Sequence, residues 1–132
     1  MIVLDTHTLI WWVDGSAQLS ASAKRLINKT LKDGGEVIVS SMSAWEVAML
    51  ISRGRLVLSM DVDSWLDEVA RIDGVRFMPV DNEIGVKSTQ LPGRFHKDPA
   101  DRMIVATARK LSVPLVTADD KIQQYEHVKT IW

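Results

Sequence analysis

The sequence predicts an α/β domain, a three-layer α/β/α sandwich around a mainly parallel sheet. Three observations carry this expectation. The apolar runs Ile2-Val3-Leu4 and Val37-Ile38-Val39 show no polar alternation, the pattern of strands covered on both faces. Segments with helical spacing separate successive strands, so the connections read as right-handed crossovers between parallel neighbours. The 132 residues, 46% hydrophobic and 25% charged, suit one domain spanning residues 1–132, which buries roughly 65–70% of the surface exposed by its unfolded chain.

Taken in order, Ile2-Val3-Leu4 is the first strand, closed by Asp5, and helical spacing begins at Leu9, Ile10 and Val13. Ser20 suits the N-cap of a helix with Ala23, Leu26, Ile27 and Leu31 on one face and Lys24, Arg25, Lys29 and Lys32 off it. Gly34-Gly35 ends that helix, and Val37-Ile38-Val39 is the second strand. A helix follows from about Met42 to Ser52, in which Ser43-Ala44-Trp45-Glu46 has the form of a capping box. Asp61 opens the most regular amphipathic helix, with Val62, Trp65, Leu66, Val69 and Ala70 on one stripe. Val75 to Val80 reads as a third strand, Asp81 to about Thr89 as a short helix, and Gln90 to Lys97 as a loop turned by Pro92-Gly93. Pro99 takes the first position of a helix running to about Leu111, with Ala100, Ile104, Ala108 and Leu111 inward. Pro114-Leu115-Val116 and Val128 to Ile131 supply the fourth and fifth strands.

Several function classes fall away on composition. The longest apolar runs, Leu9 to Val13 and Val47 to Ile51, have five residues, against the roughly 18 needed to cross a bilayer. No basic segment leads into an apolar stretch with a small-residue cleavage site, so a cytoplasmic protein without export signal is expected. With no cysteine there is no thiol chemistry, cysteine-ligated zinc or disulfide. No Gly-x-Gly-x-x-Gly or Gly-x-x-x-x-Gly-Lys follows any strand, leaving dinucleotide and P-loop binding without support. The net charge of −1 announces no nucleic-acid partner. If four acids are set aside around cations, however, 16 basic residues face 13 acidic ones, a mildly basic remainder.

In parallel sheets, sites form outside the carboxyl ends of the strands. Asp5 ends the first strand, Glu46 lies early in the helix after the second, Asp98 and Asp101 begin a later helix, and Asp119 and Asp120 follow the fourth strand. Carboxylates gathered at one edge repel unless cations compensate them. Mg²⁺ or Mn²⁺, which favour oxygen ligands, are the natural compensation, and they activate water for attack at phosphorus. Each acid also has a local role open to it. Asp98-Pro99-Ala100-Asp101 and Ser43 to Glu46 suit helix caps, Asp120 suits a turn, and Asp5 suits the acceptor of a phosphoryl group, although Asp5-Thr6-His7 lacks the second aspartate of the phosphatase-type Asp-x-Asp. A silent binding module that keeps the acidic pocket is the remaining alternative. His7, two residues after Asp5, is within reach of the site but reads first as a local hydrogen-bonder, His96 and His127 have no zinc-like spacing, and Trp11, Trp12, Trp45 and Trp65 read as core or interface. Arg94, His96, Lys97 and Arg102, around the start of the acidic helix, are candidates for RNA phosphates.

Three segments together resemble the PIN-domain nucleases, in particular the VapC-type toxins of prokaryotic toxin–antitoxin pairs. They are Ile2-Val3-Leu4-Asp5-Thr6-His7-Thr8-Leu9-Ile10-Trp11, Ser40-Ser41-Met42-Ser43-Ala44-Trp45-Glu46, and His96-Lys97-Asp98-Pro99-Ala100-Asp101-Arg102 leading to Leu115-Val116-Thr117-Ala118-Asp119. The resemblance covers the whole chain and implies that Asp5, Glu46, Asp101 and Asp119 match the acids that bind Mg²⁺ or Mn²⁺. Asp98 matches a further acid of the subgroup, and Thr6 and Thr117 match hydroxyls beside the ligands. It also implies endoribonuclease activity, a cognate antitoxin and a homodimer.

Overall fold

The structure, a computed structural model, describes residues 1–132. Strand β1 (Ile2–Leu4) is central and pairs on one side with β2 (Val37–Ser40) and on the other with β4 (Leu115–Val116). Ile2 faces Val37, and Val3 faces Leu115. Strand β3 (Val75–Met78) lies outside β2 and β5 (Thr130–Ile131) outside β4, so the order is β3-β2-β1-β4-β5 and every pair is parallel. The predicted α/β sandwich is present, with a wholly parallel sheet.

Seven helices follow the strands or connect them: α1 (Thr6–Asp14), α2 (Ala21–Lys32), α3 (Ser41–Ser52), α4 (Val62–Arg71), α5 (Asn82–Thr89), α6 (Pro99–Leu111) and α7 (Asp120–Gln123). Alternation along the strands divides the core in two. Ile2, Leu4, Val37 and Val39 pack with Leu9, Ile27, Val47, Trp65 and Val69 of α1 to α4. Val3, Ile38 and Leu115 pack with Ile104, Val105 and Ala108 of α6 and Ile122 of α7. Both faces are covered, so the strands read as unbroken apolar runs instead of alternating ones.

The chain leaves β1 toward β2 and β3 on one side and later returns to β4 and β5 on the other. Between β1 and β4 the direction of winding changes, which leaves a crevice at their carboxyl ends. Asp5 follows one of these strands directly, and Thr117 follows the other.

Several expectations move. Helix α1 starts at Thr6, before the first apolar spacing at Leu9, because Asp5 caps it by accepting from the Thr8 N–H at 2.9 Å. The cap of α3 is Ser40, whose hydroxyl accepts from the Met42 N–H at 3.0 Å, so Ser43 to Glu46 is not a capping box. Strand β3 stops at Met78 because its partner β2 turns into helix after Ser40, and Pro79 has no N–H to extend the ladder. The fifth strand is confined to Thr130–Ile131 because β4 offers only two residues to pair with. Asp120 begins the short helix α7, where a turn was expected. Ala70 is exposed, since Trp65 and Val69 already fill the contact of α4. Trp11 and Trp12 both pack against the larger core cluster, whereas Trp45 is 55% exposed.

Candidate functional site

Asp5 is fixed from both sides of the crevice. One of its carboxylate oxygens accepts from the Thr8 N–H, and the other accepts from the Thr117 hydroxyl at the end of β4. The Thr8 hydroxyl in turn donates to the Val116 carbonyl at 3.0 Å, tying the first turn of α1 to β4. Only 7% of Asp5 is exposed. Burial pushes its carboxyl up, against the Thr117 and Thr8 hydrogen bonds and the nearby His7, which hold it down. With both oxygens accepting, the group is held in place.

Glu46 projects from the second turn of α3. The Thr6 hydroxyl donates to it at 2.5 Å and also shares a 2.9 Å hydrogen bond with the buried Ser43 hydroxyl. Partial burial raises the Glu46 carboxyl, the Thr6 bond lowers it, and Asp98 and Asp5 raise it further. Asp98 caps α6 by accepting from the Asp101 N–H at 2.9 Å, so the cap expected there is present. Asp101 stands in the first turn of α6. Its carboxyl is pushed up to about 7, first by burial and then by Asp98, Asp119, Glu46 and Asp5. Every other acid of the site therefore acts on Asp101. Asp119 caps α7, accepting from the Ile122 N–H at 3.1 Å, while its own N–H donates to the Thr117 hydroxyl at 3.0 Å.

These side chains line one cleft of about 420 Å³, walled by Asp5, Thr6, His7, Trp11, Glu46, Asp98, Asp101, Ala118 and Asp119. A second cleft of about 400 Å³ is lined by Arg109, His127 and Lys129 and contains no carboxylate. Size does not separate the two, but chemistry does. In the first, five carboxylates from four segments meet with the Thr6 hydroxyl and no lysine or arginine. No three of the acids and histidines already close on a common point as a metal shell. The donor set nevertheless fits a hard divalent cation, since its five carboxylates supply oxygen ligands and far more negative charge than the one imidazole, His7, can offset.

The residues proposed for RNA phosphates divide differently. The Arg102 guanidinium donates to the carbonyls of Ser88 (2.8 Å), Phe95 (3.0 Å) and His96 (3.1 Å), so it clamps the loop before α6 and is not free for phosphate. His96 Nε2 is enclosed 3.0 Å from Asp101 Oδ2 without being aligned as a hydrogen bond, which places His96 behind the acid instead of in the cleft. Arg94 and Lys97 are exposed and lie outside the cleft, Arg94 beside Lys121. Asp120 is likewise exposed and outside it.

His7, expected as a local hydrogen-bonder, lines the cleft instead, and two residues outside the expected set, Trp11 and Ser43, belong to the site. Trp11 walls the cleft, and its signal was present: it stands four residues after His7, on the same helical face. Ser43 gave no such signal, because its bond to Thr6 joins residues 37 apart in sequence.

Comparison with known proteins gives a consistent picture. The PIN domain family model matches residues 2–128. The chain is 32% identical to Ribonuclease VapC22 of Mycobacterium tuberculosis over 133 aligned positions, covering 99% of this chain and 98% of that protein. Among solved structures it is similar to VapBC2 from Rickettsia felis bound to a DNA fragment from its promoter, with a TM-score of 0.72 at 16% identity over 100% of this chain and 99% of that one. It is also similar to VapC20 of Mycobacterium tuberculosis, a toxin that cleaves the sarcin–ricin loop, with a TM-score of 0.65 at 17% identity over 98% of this chain and 99% of that one. At those identities the structural likeness shows the fold alone.

Proposed function

From the premise that this chain belongs to the PIN-domain family, we propose that it is a metal-dependent endoribonuclease and the toxin of a toxin–antitoxin pair. The observation that carries this reading is the convergence of Asp5, Glu46, Asp98, Asp101 and Asp119 on one cleft at the point where the sheet reverses its winding. The ribonuclease name of the curated relative supplies the substrate class. Asp5, Glu46, Asp101 and Asp119, with Asp98 as a further acid, would hold Mg²⁺ or Mn²⁺. When bound, such a cation supplies charge neutralisation at phosphate and an acidified water.

The chain's own contribution is to hold these acids in register before any ligand arrives. Thr8 and Thr117 fix Asp5, Thr6 fixes Glu46, and the N-termini of α6 and α7 fix Asp98 and Asp119. A separate apolar surface of Met42, Trp45, Pro79, Val80 and Met103 supports contact with protein partners. The cognate antitoxin and a second copy of this chain, in a homodimer, are the partners we propose. No helix is long and apolar enough to cross a membrane, and we place the activity in the cytoplasm, where RNA is the substrate.

The test is cleavage of a mixed RNA pool by purified, antitoxin-free protein. Chelation should abolish cleavage, Mg²⁺ or Mn²⁺ should restore it, and the products should carry a 5′-phosphate and a 3′-hydroxyl. Undiminished cleavage after thorough chelation, or 2′,3′-cyclic phosphate ends, would overturn the mechanism.

A further inference from the structure

Trp11 is the one large apolar side chain on the wall of a cleft otherwise made of carboxylates, a hydroxyl, an imidazole and the small Ala118. It is half-buried and packs against the larger core cluster. The Trp132 ring lies 5.8 Å from it at 57°, and the His7 ring lies 5.7 Å away at 51°, so it is braced by two tilted rings instead of stacked flat on either. Trp45, the most exposed tryptophan, belongs to a separate apolar surface with no carboxylate. The placement of Trp11 is therefore particular to the acidic cleft.

A nucleotide has two parts that such a wall treats in opposite ways. The anionic phosphate is repelled by the acids and needs a cation to enter. The base is neutral and flat, and an indole receives its face with little regard to sequence. We propose that Trp11 is the base subsite of this cleft, stacking an unpaired nucleobase next to the phosphate that the carboxylates address. Such stacking needs an unpaired base, because a base inside a duplex has no free face to offer. This assignment rests on the ribonuclease reading of the cleft and adds to it a site for the base.

The experiment compares the parent with Trp11→Leu, which keeps apolar bulk without an aromatic face, and Trp11→Phe, which keeps the face. Circular dichroism and melting temperature establish that each variant is folded. Binding of adenosine 5′-monophosphate and of ribose 5-phosphate is measured by ligand-observed NMR with Mg²⁺ present. The parent should hold the nucleotide about tenfold more tightly than the sugar phosphate, Trp11→Leu should lose most of that preference, and Trp11→Phe should retain it. In cleavage of a short single-stranded RNA, Trp11→Leu should raise KM by about tenfold with kcat changed much less. A parent that binds both probes equally overturns the inference even if Trp11→Leu does not fold. A folded Trp11→Leu with parental KM and nucleotide preference overturns it as well. Absence of any RNA cleavage by the parent overturns instead the reading on which it rests.

Discussion

The Thr117 hydroxyl donates to the carboxylate of Asp5 across 112 residues of sequence, joining the end of the central strand β1 to that of its neighbour β4. The same hydroxyl oxygen accepts from the Asp119 N–H. One fully buried threonine thus sets the position of two acids in the cleft.

Thr117→Val keeps the shape of the side chain and removes both bonds. It should lower stability by about 1–3 kcal/mol, because the Asp5 carboxylate loses its donor in a buried setting. The Asp5 carboxyl, already raised by burial, should rise further once the largest opposing influence is gone. Urea denaturation and the Mg²⁺ concentration needed for half-maximal cleavage measure the two effects. Parental values of both would deny Thr117 its positioning role.

The pH dependence of stability should show the repulsion in the cleft. Asp101 is raised from 3.8 to about 7, and Asp5 and Glu46 shift in the same direction. Each folded carboxyl therefore binds its proton more tightly than the unfolded one, so its contribution is fully present below the unfolded pKa and is lost as pH rises through the folded one. The lowered Glu36, Asp61 and Asp81 act below about pH 4. In chelator, the melting temperature should fall between pH 5 and pH 8, Asp101→Asn should flatten the decline, and Mg²⁺ at pH 8 should stabilise the parent more than the variant. A melting temperature that rises over this interval would contradict burial and carboxylate repulsion as the origin of the Asp101 shift.

Glu46→Gln retains an acceptor for the Thr6 hydroxyl and forfeits only the charge. Since Ser40 caps α3, no capping role remains for Glu46 to lose. The variant should fold with near-parental stability while cleavage falls by at least about 10–100-fold, the loss seen when even a group supporting a metal ligand is removed. Near-parental cleavage by the folded variant would reduce the proposed set to the aspartates.

Arg102→Lys distinguishes a loop clamp from a phosphate contact. Lysine keeps the charge but cannot span the carbonyls of Ser88, Phe95 and His96 with a planar fork. Stability should drop by about 1.5–3 kcal/mol, the scale of hydrogen bonds to a charged group. The salt dependence of RNA binding should keep its slope in Arg102→Ala. A slope reduced by about one unit would return Arg102 to the phosphate-binding set.

The sequence by itself determined the layers of the fold and the edge at which the acids gather, whereas the fold decided that Asp120, on the same edge, stays outside the cleft. Unbroken apolar runs at Ile2 to Leu4 and Val37 to Val39 are legible because both faces of a parallel sheet are buried. Asp5, Glu46, Asp98, Asp101 and Asp119 are legible because each lies just past a strand or at the head of a helix, where the carboxyl edge of the sheet gathers them. Helix starts were less legible: Asp5 looked like a strand terminus and is also the cap of α1, since a cap is a hydrogen bond and leaves no apolar spacing to read. Tertiary structure alone decided what each side chain spends its bonding capacity on. Arg102 and His96 have the right residue type and position in the sequence for phosphate, yet the fold turns one onto three carbonyls and encloses the other behind Asp101. Trp11 has the spacing of a core residue and packs on the core, yet its ring also walls the cleft. The physical reason is that spacing fixes the face of an element, whereas the partner a polar or aromatic group meets is brought from elsewhere in the chain, as Ser43 reaches Thr6 and Thr117 reaches Asp5.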